Sequence, residues 1–359
     1  MYSHFPDVSR LALVFGAQES TFRDVVLSLQ TDALSAGADI SVLGVHEGWL
    51  RREKVTRALV VDDRGDVVLR DFSPPLRPDH VWVLHLPSVG ERELHRSISS
   101  VLKDVPQINP YPASERADDK AETHGLWDGL PTPAWKLLKR GSPTLEGDLE
   151  GFLRKHGRVV VLPNHGTEGR DVECFGAGEG RLWEHIDHIM SYDDVLLREE
   201  RGELTFWEED VGLLRFCLRV HVAWDGGRFV AESGFVQVAP SEDFPVASRG
   251  RGGRISSLTE VLRNLRFRGG RWVPNEGDVS LVREVSERAA DALNEGLKEG
   301  EMLLFMGLDI VCDVDDGGRL LPVLLEANPR PAGLQHSRFL GLEHDELFIT
   351  SALFRYIGR

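Results

Sequence analysis

The sequence predicts an α/β protein of more than one domain, opening with a unit built on a parallel sheet. Short apolar runs alternate with amphipathic stretches over the first 110 residues. A polar, proline-bearing segment interrupts the chain near 110–136, and a second alternation of strands and helices follows it. With 359 residues, and about 100–200 residues to a domain, two or three packed units are expected.

Each element has a local reason. Leu11–Phe15 (LALVF) is a continuous apolar run, as in a strand covered on both faces. Phe22, Val25, Val26, Leu29 and Ala33 then recur at helical spacing, with Ser20 as the expected N-cap and Gly37 as the expected stop. Ile40–Val45 and Val81–Leu86 are further strands, and a helix is expected over Arg92–Lys103. Residues 55–72 read as a hairpin turning at Asp62–Gly65. After the junction a helix is expected from about Arg116 to Asp128. Strands follow at Arg158–Leu162, Val195–Arg198, Phe216–Trp224 and Phe229–Val238. The glycine- and arginine-rich stretch 240–277 reads as long loops. Asp278 is the expected cap of a helix carrying Val282, Val285, Ala289, Leu293 and Leu297. Leu303–Asp313 and Leu320–Ala327 form a final hairpin.

Composition excludes some functions. Hydrophobic residues are 41% and charged residues 28%, the balance of a globular chain with a sizeable core. The formal charge of −16 repels nucleic acid and anionic membrane surfaces, so partners of those kinds are not expected. Cys174, Cys217 and Cys312 offer neither a disulfide framework nor a zinc spacing. No apolar run approaches the roughly 20 residues that span a bilayer, and the N-terminus lacks a secretory pattern, so a cytoplasmic protein is expected.

Chemistry concentrates in Gly307–Gly333, GLDIVCDVDDGGRLLPVLLEANPRPAG. Asp309 interrupts one apolar strand, while Glu326 and Asn328 close the next, two apart and so on one face. Hard oxygen donors from adjacent strands, without His or Cys, suit Mg²⁺ with phosphate oxygens completing its shell; Mn²⁺ is the alternative. The second signal is Pro163–Val172, PNHGTEGRDV, where glycines follow a buried strand and allow a loop to close over phosphate. His185 and His188, three apart on an expected helix, read as a solvated face. SRGRGGR (248–254) reads either as a disordered loop or as an anion-binding loop.

The order of these elements resembles the ATP-grasp superfamily over nearly the whole chain, in particular its D-alanine–D-alanine ligases and L-amino acid ligases. The resemblance implies an ATP-grasp fold preceded by a parallel-sheet α/β domain, with units at 1–115, 116–200 and 201–359. It implies that Lys120 contacts ATP phosphate, and that His165, Gly166, Thr167, Gly169 and Arg170 lie on the phosphate-covering loop. Glu199 and Glu200 would then stand at the adenine hinge, and Arg219 and Arg330 at the reaction centre. Asp309, Glu326 and Asn328 fall on the family's metal ligands, and Arg330, His336 and Ser337 on the stretch that holds the acceptor substrate. Two departures stand out. Leu162 occupies the place of a second phosphate lysine, for which Arg170 is the first-choice replacement and His165 or Arg198 the others. Gly307 occupies the place of an arginine, whose part Arg330 could take.

The activity implied is ATP-dependent ligation of a small-molecule carboxylate and an amine through an acyl phosphate, with ATP and Mg²⁺ as cofactors. A homodimer is compatible with this reading. The alternatives are a small-molecule kinase acting on an alcohol, and a nucleotide-binding regulator without turnover.

Overall fold

The computed structural model describes residues 8–16, 19–84, 92–166, 169–242, 244, 247–248, 251–330 and 348–358. The first unit is a sheet of β1 (Ser9–Phe15), β2 (Ile40–His46), β3 (Leu50–Arg51), β4 (Lys54–Val61), β5 (Val67–Leu76), β6 (His80–Val83) and β7 (Gln107–Ile108). Its order is β3-β4-β2-β1-β6-β7, with β5 paired to β4. The central pairs β2–β1–β6–β7 are parallel, as the strand–helix–strand spacing requires, while β4 joins antiparallel and forms the expected hairpin with β5. Helix α1 (Glu19–Ser35) covers one face and α2 (Arg92–Val101) the other. Helix α1 already includes Glu19, so Ser20 lies inside it rather than capping it. Gly37 does end it, at φ +65°.

The polar junction folds into α3 (Tyr111–Asp118) and α4 (Lys120–Leu126). One continuous helix over 116–128 was expected. The break falls at Asp119, whose extended backbone ends α3 and whose carboxylate accepts from Glu122 N–H to start α4. A small lobe follows: β8 (Trp135–Leu138), α5 (Leu145–His156), β9 (Arg158–Pro163), β10 (Glu173–Gly176), α6 (Leu182–Met190) and β11 (Val195–Glu199). Its antiparallel sheet runs β10-β9-β11-β8 and packs on its own core, which includes Leu138, Val159, Val161, Ile186 and Leu197.

The remaining strands are β12 (Thr205–Glu208), β13 (Gly212–Leu214), β14 (Phe216–Trp224), β15 (Phe229–Val238), β16 (Arg254–Ser256), β17 (Leu265–Phe267), β18 (Gly270–Arg271), β19 (Phe305–Val314) and β20 (Leu320–Asn328). The main sheet of this large lobe has the order β16-β15-β14-β19-β20. Helices α7 (Leu258–Arg263), α8 (Glu276–Asn294) and α9 (Phe348–Ile357) accompany it. The stretch 240–277 therefore carries three short strands and a helix rather than long loops alone. Asn275, not Asp278, caps α8; Asp278 is the reciprocal partner three residues on, in a capping box. No described helix is long and apolar enough to cross a membrane.

The first unit and the large lobe share one hydrophobic core, in which Trp82 of β6 meets Phe305 of β19 at 5.1 Å between ring centroids. The small lobe's core is separate, so the molecule divides into a two-unit body and one lobe facing it. Asn109 ties the body together. Its Nδ2 donates to Phe305 O and Pro329 O, and its Oδ1 accepts from Leu304 and Phe305 N–H at 2.8 and 3.1 Å. Each buried polar group left without a partner costs about 1–3 kcal/mol. Asn109→Ala is therefore expected to lower the stability of the body by several kcal/mol, read as a fall in the denaturant midpoint at constant slope. An unchanged midpoint would contradict this role.

Candidate active site

The cleft between the small lobe and the large sheet is built around a displaced strand register. Strand β20 pairs with β19 through Val311↔Val323 and Ile310↔Leu324, and then through Asp309↔Glu326 and Gly307↔Asn328. Leu325 is the extra residue of a β-bulge. Side chains alternate along a strand, so without that bulge Glu326 and Asn328 would turn into the core. With it, they face the cleft beside Asp309. Cys217, Val311 and Val323, with Leu321 and Leu325 beside them, form an apolar floor on the same side.

Asp309 pairs in register with Arg219 of β14, and the guanidinium donates to both carboxylate oxygens. Asn328 Nδ2 donates to Asp309 Oδ2 and to Gly307 O, both at 3.3 Å, which leaves its amide oxygen turned to the cleft. Burial, aided by Glu326, raises the Asp309 pKa against the opposing pull of Arg219. A second buckle sets Arg219: β15 shifts register between Arg219 and His221, and a Cβ on Gly234 would stand 1.5 Å from Arg219 O. Only glycine permits that approach.

Cations face the carboxylates from several elements. Lys120, at the start of α4, lies 3.8 Å from Glu326 Oε2 and donates to Gly166 O. Arg198 reaches from β11 to donate to Leu325 O at 2.8 Å, the carbonyl of the bulged residue. Arg330 is held by the Asp118 carboxylate at the end of α3. Among the described residues, Arg198 Nε and Arg330 Nε and Nη1 are buried without a hydrogen-bond partner. Both ring nitrogens of His124 are in the same state, its ring stacked on Trp135 at 5.9 Å. Buried donors left unpaired in a cleft mark the place of a ligand more directly than sequence spacing does.

The other expected residues lie as follows. His165 is wedged between carboxylates: its backbone N–H and Nδ1 meet Asp193 at 2.7 and 3.0 Å, and its Nε2 stands 3.4 Å from Asp119. Burial would raise the Asp119 pKa, but bonds from His165, Glu122 N–H and Asn164 outweigh it and hold that carboxylate below the usual range. Gly169 O and Val172 O accept from Arg251 at 3.0 and 3.1 Å, so the arginine-rich segment of the large lobe reaches across to the segment between β9 and β10. Arg170 is exposed. His185 and His188 flank Asp171, and His185 is buried rather than solvated. The Glu200 carboxylate is engaged by Arg158 and Arg215, and the Glu199 carboxylate by Ala134 N–H and Arg201. Their side chains are thus committed to the protein. Buried Asp313 ties the segment after β11 to β19 by accepting from Gly202 and Glu203 N–H, both at 2.7 Å. Thr167, His336 and Ser337 lie outside the described residues.

Sequence reasoning passed over His124, Asp118, Asn109 and Asp313. An acid four residues after Asp309 on the same apolar strand was the one available signal, and it points to Asp313. A lone histidine in a short polar helix gives none.

Together the two lobes, the bulged hairpin and the cation-lined cleft define the ATP-grasp fold, and solved structures bear this out. The chain is similar to D-cycloserine synthetase DcsG, with 17% identity, a TM-score of 0.57, and 97% of this chain and 100% of that one covered. It is similar to D-alanyl-alanine synthetase A from Vibrio cholerae, at 14% identity and TM-score 0.59, with 97% and 99% covered. It is also similar to the D-alanine–D-alanine ligase from Bacillus anthracis complexed with ATP, at 13% identity and TM-score 0.53, with 98% and 97% covered. No family model matches the sequence, and no curated protein does.

His124 supplies a test of the cleft's polarity. Burial, then the charges of Arg198 and Lys120, push its pKa down from 6.5 to about 3. The unfolded chain binds that proton near pH 6.5 and the folded chain does not, so this contribution to stability is whole above pH 6.5 and lost as pH falls. Between pH 7 and pH 5 it amounts to about 2 kcal/mol. His124→Phe should lose correspondingly less stability over that interval in denaturant titrations. Parallel losses would place His124 in a solvated setting.

Proposed function

We propose that this chain is an ATP-dependent carboxylate–amine ligase. The observation that carries the reading is the charge arrangement of the cleft: buried Lys120, Arg198 and Arg219 converge on two opposed carboxylates, and Arg198 keeps an unpaired donor. Such a site suits a polyanion that brings its own divalent ion. The similar structures support the class of reaction, being named as a D-cycloserine synthetase, a D-alanyl-alanine synthetase and a D-alanine–D-alanine ligase complexed with ATP.

In this chemistry the γ-phosphoryl group of ATP passes to a substrate carboxylate, giving an acyl phosphate and ADP. The amine then attacks the acyl carbon, and inorganic phosphate leaves as the C–N bond forms. The protein's part is positioning and charge neutralisation. Lys120 and the loop 165–171 hold phosphate, the backbone of the 199–203 hinge meets the base, and Arg219 stands at the transferring group. Arg330, pinned by Asp118 through Nη2, keeps Nε and Nη1 as single donors for a substrate carboxylate. The alcohol-kinase reading needs a carboxylate base at the acceptor hydroxyl, whereas the similar structures are named as synthetases and a ligase. We place the enzyme in the cytoplasm, in keeping with three free cysteines.

The donor set fits Mg²⁺ or Mn²⁺ on one condition. Among the described residues no three His, Cys, Asp or Glu side chains form a metal cage. Asp309, Glu326 and the Asn328 amide oxygen would hold an ion only with phosphate oxygens completing its shell, and when bound it neutralises phosphate charge. Three cations (Lys120, Arg198, Arg219) face two carboxylates (Asp309, Glu326), so the bare cluster does not attract a divalent ion.

The direct test is to incubate the protein with Mg-ATP and pooled amino acids and to look by mass spectrometry for condensed products. Phosphorylated alcohols instead would replace the ligase with a kinase. Glu326→Gln is expected to reduce turnover by about 100-fold or more. It should lower the thermal midpoint, because buried Lys120 and Arg198 lose a counter-charge. ATP consumption at the native rate in this variant would remove Glu326 from the site.

A further inference from the structure

The cleft-facing side of the small-lobe sheet is mostly apolar. In antiparallel register Leu162 of β9 lies opposite Leu196 of β11, and Val160 opposite Arg198, so these four side chains share one face. The other face carries Val159, Val161, Val195 and Leu197 into the lobe's core. Arg198 is therefore a buried cation set among leucines and valine, 6% exposed. Burying a guanidinium in such surroundings is costly unless its donors are used. The described protein uses one: Nη1 donates to Leu325 O, while Nε has no partner. Glu326 and Asp309 attract it electrostatically from across the cleft. It bonds to neither of them.

By contrast, Arg170 is exposed on the covering loop, and His165 is committed to Asp119 and Asp193. Lys120 sits on α4, outside the small-lobe sheet. Among the described residues the one buried cation on this side of the cleft is Arg198. The carbonyl of the bulged residue, Leu325, orients the guanidinium.

Resting on the nucleotide reading above, we infer that Arg198 is the small lobe's phosphate-binding cation, donating through Nε to the triphosphate while Nη1 stays on Leu325 O. The apolar position at Leu162 follows from this. A second cation there, facing Arg198 on one sheet face, would be repelled, whereas a leucine packs beside the guanidinium stem.

The test uses the full chain and calorimetric titration with the Mg complex of a non-hydrolysable ATP analogue, with adenosine as control. A charge-assisted bond contributes about ten- to a hundredfold in affinity. Arg198→Gln should weaken the triphosphate by that factor and leave adenosine unchanged, while Arg198→Lys should retain most of the affinity. Leu162→Lys added to Arg198→Gln should recover at least part of the loss. Equal affinity of Arg198→Gln and the native chain for the triphosphate would overturn the inference alone. Failure of the native chain to bind either probe would overturn the nucleotide reading itself. Should Arg198→Gln not fold, the native chain labelled with ¹⁵N-arginine carries the test. The Arg198 Nε–H signal, assigned by its absence in Arg198→Lys, should shift with the triphosphate and not with adenosine. A signal indifferent to the triphosphate would overturn the assignment.

Discussion

Two carboxylates stand opposite each other on neighbouring antiparallel strands, and most of the cleft can be understood as a response to that pairing. Asp309 and Glu326 are directly registered. Like charges so placed are destabilising, and partial burial raises the cost. Arg219 answers Asp309 with a two-point contact, Lys120 approaches Glu326, and Arg198 adds its charge from the small lobe. These three cations come from three elements far apart in sequence: α4, β11 and β14. The acid pair thus draws both lobes to one place, and the resulting field suits a phosphate chain carrying a divalent ion.

The bulge at Leu325 makes the pairing possible and gives the lobes a shared bond. It reverses the parity of β20 so that Glu326 and Asn328 reach the cleft, and the carbonyl of the bulged residue accepts from Arg198. Asp313 binds the backbone at Gly202 and Glu203, and Arg251 reaches the carbonyls of Gly169 and Val172. The small lobe thus has a separate core and is tied to the body by polar contacts around the cleft and by the stacking of His124 on Trp135.

Much of this was legible in the sequence, for definite reasons. Phe216–Trp224 and Phe229–Val238 appear with the bounds expected, because long apolar runs ended by Asp225–Gly227 leave little choice. The site hairpin was legible because Asp309 and Glu326 are acids where apolar residues belong. What could not be read depends on pairing between distant segments. Leu325 is one leucine among several, and nothing local marks it as the bulge. Arg198 ends an ordinary strand until its register with β9 sets it on the cleft face. The expected cation at Arg170 was chosen for its place on the loop, yet proximity in sequence to a glycine-rich turn says nothing about burial. The helix expected over 116–128 divides in two because Asp119 serves as stop for one helix and cap for the next.

Under the proposed reading, Asp309, Glu326 and Asn328 hold a divalent ion only together with nucleotide phosphate, against cations from both lobes. Anomalous diffraction from crystals grown with Mn²⁺ and a non-hydrolysable ATP analogue can test this. A manganese peak bonded to Asp309 and Glu326 and to phosphate oxygens is expected, and no peak there when nucleotide is omitted. Nucleotide bound in the cleft with no manganese at these residues, or manganese held there equally well without nucleotide, would contradict it.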